Sequence, residues 1–266
     1  MNNTQIVILA LIQGLTEFLP VSSSAHLILT PMVLGYDDQG LAFDVAVHLG
    51  SLAAVTLYFR RELSLMTHDF FYSLGANGVQ TENSRLAWMV IIGTLPIIVL
   101  GKLLLNIIEE DMRSTMVIAT TTILFGLVLY WVDKKSRKVR TEYSVHWRES
   151  LFIGLMQVLA IIPGTSRSAI TMIAAMKIGL TRQAASRFSF LLSIPTILMS
   201  GTLLSYKLFS STTSVDWGDL ALGVLLAFVA AYACIKFFLQ LIDRVNMTPF
   251  VLYRLLLGFI LIGTLV

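Results

Sequence analysis

Two apolar stretches of this chain are each interrupted by a proline and a run of polar residues. The first, residues 4–34, contains QGLTEFLPVSSSAH at positions 13–26. Pro20 has no backbone N–H to donate and clashes with the preceding helical turn, so the helix ends before the serines. Each apolar piece is then shorter than the ~20 residues that cross a bilayer core of ~30 Å. The pattern predicts two half-length helices joined by a polar turn.

The composition of the 266-residue chain is that of an integral membrane protein. Only 13% of its residues are charged and 56% are hydrophobic, with a mean hydropathy of +0.79. A soluble domain carries roughly 25% charged residues. Residues 1–5 hold no Lys or Arg, which argues against a cleavable signal peptide. The net charge of +3 is too small to indicate a nucleic acid partner.

Residues 149–178 repeat the behaviour of residues 4–34. An apolar helix runs to Pro163 and is followed by a serine-rich turn, PGTSRSAIT. Each stretch has a glutamine followed six or seven residues later by the proline, as the segments LIQGLTEFLPVSSSAHLIL and LMQVLAIIPGTSRSAITMI show. The pattern predicts an internal repeat.

The remaining apolar segments predict six full spans, which makes the chain an all-α integral membrane protein with six transmembrane helices and two re-entrant helix–loop–helix hairpins. Because each half holds three spans, an odd number, the second half is predicted to be inverted relative to the first. Inverted-topology repeats commonly form a site near the bilayer midplane. We expect one membrane domain, 1–266, with repeat one at about 1–133 and repeat two at about 149–266, joined by the basic cytoplasmic loop 133–148. The predicted spans are 41–60, 86–106, 114–132, about 184–207, 217–239 and 249–265, with residues 61–85 as a polar loop.

Lys and Arg are distributed unevenly between the two predicted faces. One face carries 13 of them and the other carries 2, so the positive-inside rule places the first face in the cytoplasm. Both chain ends and the first hairpin then open outward, and the second hairpin opens inward. The 13 are Arg60, Arg61, Arg85, Lys134, Lys135, Arg137, Lys138, Arg140, Arg148, Lys177, Arg182, Arg187 and Arg244, and the 2 are Arg113 and Lys207.

This topology brings the two interrupted stretches together inside the membrane. Arg167 lies in an apolar segment, where a charge costs about 2.5–3.5 kcal/mol on insertion scales, so it needs a partner. Glu17 is the obvious one in the chain. One interpretation is a buried Glu17–Arg167 pair that only joins the two halves. The other is a polar cavity for an anionic group.

The residue types at the two turns suit phosphate chemistry. Arg167 offers a planar fork of donors, and Gly164 permits a close backbone approach. Glu17 and Gln13 supply the hard oxygens that Mg²⁺ or Ca²⁺ prefers. A serine near His26 is a nucleophile beside a possible base. The hydroxyls of Thr165, Ser166 and Ser168, with the N–H groups that open the following helix, predict an anion site.

These motifs match a known family. The chain resembles the bacterial undecaprenyl pyrophosphate phosphatases, the bacitracin-resistance proteins, over nearly its full length. The motif E/Q-x-x-x-E occurs as Gln13 to Glu17 before FLPVSSSAH, and the motif PGxSRS occurs as Pro163 to Ser168. FDVAVHLGSLAAV, GTLPIIVLG and RFSFLLSIP also look like the family.

The resemblance implies a function and an architecture. It implies hydrolysis of undecaprenyl pyrophosphate to undecaprenyl phosphate, which recycles the lipid carrier of peptidoglycan synthesis and confers bacitracin resistance. It also implies inverted repeats, a divalent cation (Mg²⁺ or Ca²⁺) and an outward-facing site in the bacterial inner membrane. The expected partners are a polyprenyl pyrophosphate and the bilayer, with no nucleic acid; a homodimer is a further expectation.

The resemblance also carries roles to individual residues. Glu17 matches the carboxylate that binds metal or pyrophosphate, Ser23 the nucleophile, and Arg167 the clamp on the pyrophosphate. His26 matches a histidine that is either a base or a phosphate ligand. Gln13 departs from the glutamate that many members carry, so its role as a metal ligand is weakened. The remaining predicted substrate-binding residues are Ser22, Ser24, Gly164, Thr165, Ser166 and Ser168.

Other polar residues have plainer interpretations, and a second function stays open. We expect Asp44 and His48 to be interfacial, with a role behind the site as the alternative. Lys102, Lys236 and Arg254 lie near span ends, where their charges can reach the interface. A lipid-carrier transporter or flippase would also use broken helices in inverted repeats. A transporter needs no nucleophile, so the Ser-rich turn favours the enzyme.

Overall fold

The computed structural model describes residues 1–75, 78–111, 114–209 and 216–263. These residues form α-helices and two short 3-10 turns, with a single isolated β-bridge. The helices are α1 Asn3–Thr16, α2 Ser23–Leu34, α3 Gly40–Tyr58, α4 Arg60–Ser73, α5 Glu82–Asp111, α6 Thr115–Lys135, α7 Trp147–Val158, α8 Arg167–Lys177, α9 Arg182–Phe209, α10 Trp217–Val245 and α11 Thr248–Gly263.

The helices confirm an all-α integral membrane protein. Within the described ranges, four segments are long and apolar enough to cross a bilayer: Gly40–Tyr58, Glu82–Gly101, Thr115–Lys135 and Trp217–Val245. Helices α9 and α11 occupy the positions of the other two predicted spans. Arg113 and the side chains of Lys102 and Lys207 lie outside the described part of the chain. The predicted count of Lys and Arg on the two faces therefore includes residues that the structure does not describe.

The two predicted broken hairpins are present as half-length helix pairs, α1 with α2 and α7 with α8. Each second helix begins after a serine with positive φ, Ser22 at 75° and Ser166 at 70°. The hydroxyl of each serine accepts the N–H of the alanine three residues later, at 3.4 Å for Ala25 and 3.3 Å for Ala169. A serine side chain thus satisfies one of the orphan N–H groups at each helix start.

The first helix of each pair packs closely on a long helix of the other half of the chain. Helix α1 lies against α10, and α7 lies against α5. Both contacts use a glycine: a Cβ on Gly14 would come within 2.7 Å of the Ala230 Cβ, and a Cβ on Gly154 would meet the Gly93 backbone and, at 3.0 Å, Pro96 Cδ. Helix α6 also packs on α11. The two-repeat organisation stays a prediction, and this reciprocal packing is what an inverted repeat would produce.

The prediction of a loop over residues 61–85 is wrong for its first part. Helix α4 occupies Arg60–Ser73, and Met66 on one face is buried in the core. Glu62 lies one turn before Met66 on the same face and pairs with Arg187 of α9 at 2.7 Å. The polar composition of this segment predicted a loop, but the segment forms an amphipathic helix whose partners lie far along the chain.

The basic linker between the halves is held by specific contacts. Arg140 donates to both carboxylate oxygens of Glu149 (2.7 and 2.8 Å) and to the carbonyl of Ile178 (2.9 Å). These hydrogen bonds hold the pKa of the Glu149 carboxyl below its usual value. Asp133 at the end of α6 pairs with Arg182 at 2.6 Å and Lys138 at 3.3 Å. The linker therefore ties the end of α6 to the starts of α7 and α9.

Candidate active site

A cavity of about 510 Å³ lies where the two broken hairpins meet. One end is polar and is formed by residues of both turns. The flank is apolar and comes from α5, α9 and the end of the α7 segment. The polar wall holds Glu17, Ser22, Ser23, Ser24, His48, Gln157, Ser166, Arg167, Thr196 and Ser200, and the apolar wall includes Ile97, Ile98, Ile161, Ile197, Met199 and Leu203.

Glu17 is the centre of the polar end. Its side chain is only 7% exposed, and it stands at the end of α1 immediately before the break. One carboxylate oxygen, Oε1, accepts from Arg167 Nη2 at 3.0 Å. The other, Oε2, accepts from Ser23 Oγ at 2.6 Å and from Gln13 Nε2 at 3.0 Å. His48 Nε2 lies 3.7 Å from the same oxygen.

Arg167 confirms the expected partnership across the two hairpins. It is the first residue of α8, and besides Glu17 it donates to the carbonyl of Ser189 at 3.2 Å. Its side chain is 12% exposed and borders the cavity. The guanidinium therefore keeps donors available to an anion that enters the cavity, since it has five N–H groups.

The Ser22 to Ser24 turn presents its hydroxyls to the cavity. Ser22 and Ser24 are linked by their Oγ atoms at 3.3 Å, and Ser166 and Ser168 are linked in the same way at 3.0 Å. Of these hydroxyls, those of Ser22, Ser24 and Ser166 border the cavity together with Ser23. The predicted nucleophile thus lies beside the predicted carboxylate and the predicted arginine.

Four other predicted ligands lie behind this wall. Ser168 donates to the carbonyl of Leu19 at 2.6 Å and so joins the two turns. Gly164 has a φ of +87° and packs on α6, where an added Cβ would come within 2.5 Å of the Ile118 carbonyl. The close backbone approach that this glycine permits is therefore an approach to α6. Thr165 and Gln13 are fully buried, and the Oγ1 of the first and the Oε1 of the second have no hydrogen-bond partner among the described residues.

His26 does not lie on the cavity wall. Its Nδ1 contacts the carbonyl of Ser22 at 2.7 Å, and its Nε2 contacts the hydroxyl of Tyr253 at 2.5 Å. The two rings are stacked, 9° from parallel. In this conformation both ring nitrogens are engaged away from Ser23, and the catalytic role of His26 stays a prediction.

His48 borders the cavity and lies beside Glu17, which supports the alternative expectation, a role behind the site. Its Nδ1 contacts the carbonyl of Asp44 at 2.7 Å, which turns Nε2 towards Glu17. Asp44 itself accepts from Gln39 at 2.8 Å. The spacing of Asp44 and His48 on one helical face was the available signal, but it does not show which face meets α1.

Arg254 is the largest departure from the sequence analysis. The expected route to the interface is wrong, because the side chain is 0% exposed. It donates to backbone carbonyls of both turns, Pro20 at 3.2 Å and Gly164 at 3.0 Å, and to Thr122 of α6 at 3.1 Å. The buried position of Arg254 could have been predicted from the sequence, because this cation lies inside the apolar segment 249–265.

A divalent cation fits this site only together with ligand oxygens. No group of three His, Cys, Asp or Glu within the described residues could hold a metal. The available donors are the Glu17 carboxylate and the orphaned, buried Oε1 of Gln13. Mg²⁺ is often bound by one or two carboxylates plus substrate phosphates, and this donor set fits that mode.

Comparison with known proteins identifies the family. The family model for the bacitracin resistance protein BacA matches residues 6–260. The chain belongs to the BacA family. It is 54% identical to undecaprenyl-diphosphatase 1 of Pseudoalteromonas translucida (strain TAC 125) over 258 residues, covering 97% of each chain. It is 56% identical to undecaprenyl-diphosphatase 2 of Stutzerimonas stutzeri (strain A1501) over 265 residues, covering 98% of each chain.

The match to the BacA family model contains every residue of the cavity wall, since all of them fall between positions 6 and 260. The family resemblance of the two motifs is therefore confirmed over nearly the whole chain. Both motifs of this BacA-family chain meet at one carboxylate, Glu17, which accepts from Ser23 and from Arg167.

Proposed function

We propose that this BacA-family protein is an undecaprenyl pyrophosphate phosphatase, which hydrolyses undecaprenyl pyrophosphate to undecaprenyl phosphate and inorganic phosphate. The observation that carries the proposal is the 2.6 Å hydrogen bond from Ser23 Oγ to Glu17 Oε2, with Arg167 bound to the same carboxylate at 3.0 Å. A nucleophile, a proton acceptor and a phosphate-binding cation thus lie together at one end of a membrane cavity.

The cavity suits an amphiphilic substrate. A diphosphate at the polar end would meet Arg167 and the hydroxyls of Ser22 and Ser166. The first part of an isoprenoid chain would lie along the apolar flank, which includes Ile98 and Leu203. Membership of a family whose relatives bear the name undecaprenyl-diphosphatase supports this substrate class.

The geometry supports Ser23 as the nucleophile and Glu17 as the acceptor of its proton. Ser23 Oγ would form a bond to the terminal phosphorus while the bond to the bridging oxygen breaks, releasing undecaprenyl phosphate. Water would then attack the phosphorus of the phosphoserine and break its bond to Ser23 Oγ. Glu17 would return its proton to Ser23 Oγ, and the water oxygen with both hydrogens would leave in inorganic phosphate. Arg167 would move from Glu17 to the phosphate oxygens and stabilise their charge.

A divalent cation, Mg²⁺ or Ca²⁺, would be held by Glu17, by Gln13 Oε1 and by substrate oxygens. When bound, it would supply Lewis-acid stabilisation of phosphate charge. Gln13 contributes in another way too: its Nε2 donates to Glu17 at 3.0 Å and orients the carboxylate.

Placement in the bacterial inner membrane with the site facing outward is part of the proposal, as is a homodimer. The excess of Lys and Arg on the face that holds loop 133–148 supports the orientation. The substrate's chemistry supports a membrane location, because a polyprenyl chain is insoluble in water. The alternative, a lipid-carrier transporter, would leave the Ser23–Glu17 hydrogen bond without a chemical role.

The decisive experiment is phosphate release from undecaprenyl pyrophosphate by purified protein in detergent. Wild type is expected to release phosphate with Mg²⁺ or Ca²⁺ and to stop with chelator. Ser23→Ala should lose activity by roughly a thousand-fold or more while still binding substrate. The matched control is Ser51→Ala, because Ser51 is buried on α3 and donates to the carbonyl of Val47, at 3.1 Å, within its own helix.

Two results would contradict the proposal. If folded wild type releases no phosphate with either metal, transport becomes the better hypothesis. If Ser23→Ala matches the Ser51→Ala control in turnover, Ser23 is not the nucleophile, and direct attack of water on the terminal phosphorus becomes the better hypothesis.

A further inference from the structure

Gln157 is a buried amide on the wall of the cavity with an unsatisfied nitrogen. It lies in the last turn of α7, and none of its side chain is accessible to water. It borders the cavity with Ser166, Arg167 and Thr196. No group in the described part of the chain forms a hydrogen bond with its Nε2.

The neighbour of the amide contacts its oxygen and not its nitrogen. Thr196 Oγ1 lies 3.5 Å from Gln157 Oε1, at the limit of a hydrogen bond. That hydroxyl donates its proton to the carbonyl of Leu192 at 2.8 Å, so its contact with Oε1 is weak. Gln157 Nε2 is thus a buried donor without an acceptor among the described residues, on the wall of the cavity.

The first half of the chain shows what an amide at this position binds. Gln13 precedes the helix-capping Ser22 by nine residues, and Gln157 precedes the helix-capping Ser166 by nine. Gln13 Nε2 donates to Glu17, four residues further on. The residue four after Gln157 is Ile161, whose side chain has no acceptor. The second half thus keeps the donor and lacks the carboxylate that would receive its hydrogen bond.

We propose that Gln157 is a substrate-binding residue whose Nε2 donates to an oxygen of the diphosphate. The phosphate oxygen takes the place that the Glu17 carboxylate has in the first half. A rotation about the terminal side-chain torsion, which is soft in glutamine, turns the amide towards the cavity. This inference rests on the proposed function, since it assigns a further contact to the same substrate.

The contact divides the work between the two hairpins. Ser23 and Glu17 of the first hairpin carry out the chemistry, and Arg167 and Gln157 of the second hold the diphosphate. A neutral amide adds a directed donor without a second cation, so it positions the phosphate without competing for the Glu17 carboxylate.

The test compares Gln157→Met with Gln5→Met in the full-length protein in detergent. Gln5 is also a buried glutamine of a half-length helix, but its Nε2 donates to the carbonyl of Asp37 at 2.8 Å, away from the cavity. The probes are farnesyl methylenediphosphonate, which cannot be hydrolysed, for binding, and undecaprenyl pyrophosphate for turnover. Thermal unfolding without ligand is measured in parallel.

The two variants are expected to respond in opposite ways. Gln157→Met should bind the diphosphonate roughly ten- to a hundred-fold more weakly and raise KM, because a hydrogen bond to a charged group is lost. Its unliganded Tm should stay equal or rise, since an unsatisfied polar atom is removed. Gln5→Met should lower Tm and leave binding unchanged.

Equal binding by Gln157→Met and wild type would overturn the inference, as would a loss of Tm with unchanged KM, which marks a packing role. If wild type binds the diphosphonate and releases phosphate, either result contradicts only the role of Gln157 and leaves the proposed function intact. If wild type neither binds nor hydrolyses, the proposed function fails and this inference falls with it.

Discussion

Arg254 supports both turns that form the site, and it does so through the backbone. Its donors go to the carbonyls of Pro20, Gly164, Thr165, Thr121 and Thr122, at 3.0 to 3.4 Å. The first three carbonyls belong to irregular backbone, which a membrane tolerates only when other groups satisfy it. One guanidinium meets that requirement for two turns and α6 together, because it presents five N–H donors in one plane.

Replacing Arg254 should therefore damage stability and catalysis together. Arg254→Met leaves buried carbonyls without donors, and we expect a loss of about 3 kcal/mol or more in the free energy of unfolding. Phosphate release should fall at least roughly ten-fold, because the turns that carry Ser23 and Arg167 lose a shared support. Arg254→Lys should not restore either property, since an ammonium cannot reach the same set of carbonyls.

The measurements for Arg254 are thermal unfolding and phosphate release in detergent. Lys236→Met is the matched control, because Lys236 is an exposed cation on the neighbouring α10. If an Arg254 variant has the same Tm and turnover as the Lys236 control, the two turns keep their conformation without the Arg254 guanidinium.

At the level of helices, the position of Glu17 depends on how closely α1 approaches α10. A Cβ on Gly14 would lie 2.5 Å from the carbonyl of Ala227 and 2.7 Å from the Ala230 Cβ. Backbone cannot yield as a flexible side chain can, so even one methyl group must push the helices apart. Glu17 is three residues from Gly14 and would move with the helix.

Gly14→Ala should thus cost about 1–3 kcal/mol in unfolding free energy and reduce turnover. Gly201→Ala is the control, because a Cβ there meets only Leu49 Cδ2, at an ordinary 3.6 Å. Denaturant or thermal unfolding in detergent, with phosphate release, distinguishes them. Equal Tm and turnover for the two alanine variants would mean that α1 and α10 can separate without moving Glu17.

The sequence predicted those elements whose signals are local. A proline followed by polar residues marks a break wherever the chain lies, so both hairpins were predictable. The Glu17–Arg167 contact was predictable because charges inside a membrane need partners. Helix α4 was missed because Arg187, the ion-pair partner of its Glu62, lies 125 residues further along the chain.

The other missed residues depend on packing that no local pattern records. Arg254 is satisfied by backbone carbonyls, and every residue type carries a carbonyl, so nothing in the sequence marks its partners. His48 reaches Glu17 only because α3 lies beside α1. Ser168 stays a predicted ligand, and in the structure its hydroxyl donates to the carbonyl of Leu19 in the other turn.

The whole molecule has a polar layer beyond the spans, made by α4, the linker and the starts of α7 and α9. Arg187 joins Glu62 and Glu142 there, and Arg140 joins Glu149. These ion pairs use several of the cations that the orientation prediction counts. The layer lies at the cytoplasmic face if the positive-inside rule holds for this chain.

Single cysteines test that orientation in intact cells. Asp37→Cys places a thiol in the exposed loop after α2, and Val139→Cys places one in the linker, where Val139 is 75% exposed. A membrane-impermeant maleimide should label Asp37→Cys in intact cells and label Val139→Cys only after permeabilisation. The native Cys234 is 8% exposed, so it adds little background. The reverse labelling pattern would mean that the protein has the opposite orientation in the membrane. The first hairpin, with Ser23, would then open on the cytoplasmic side.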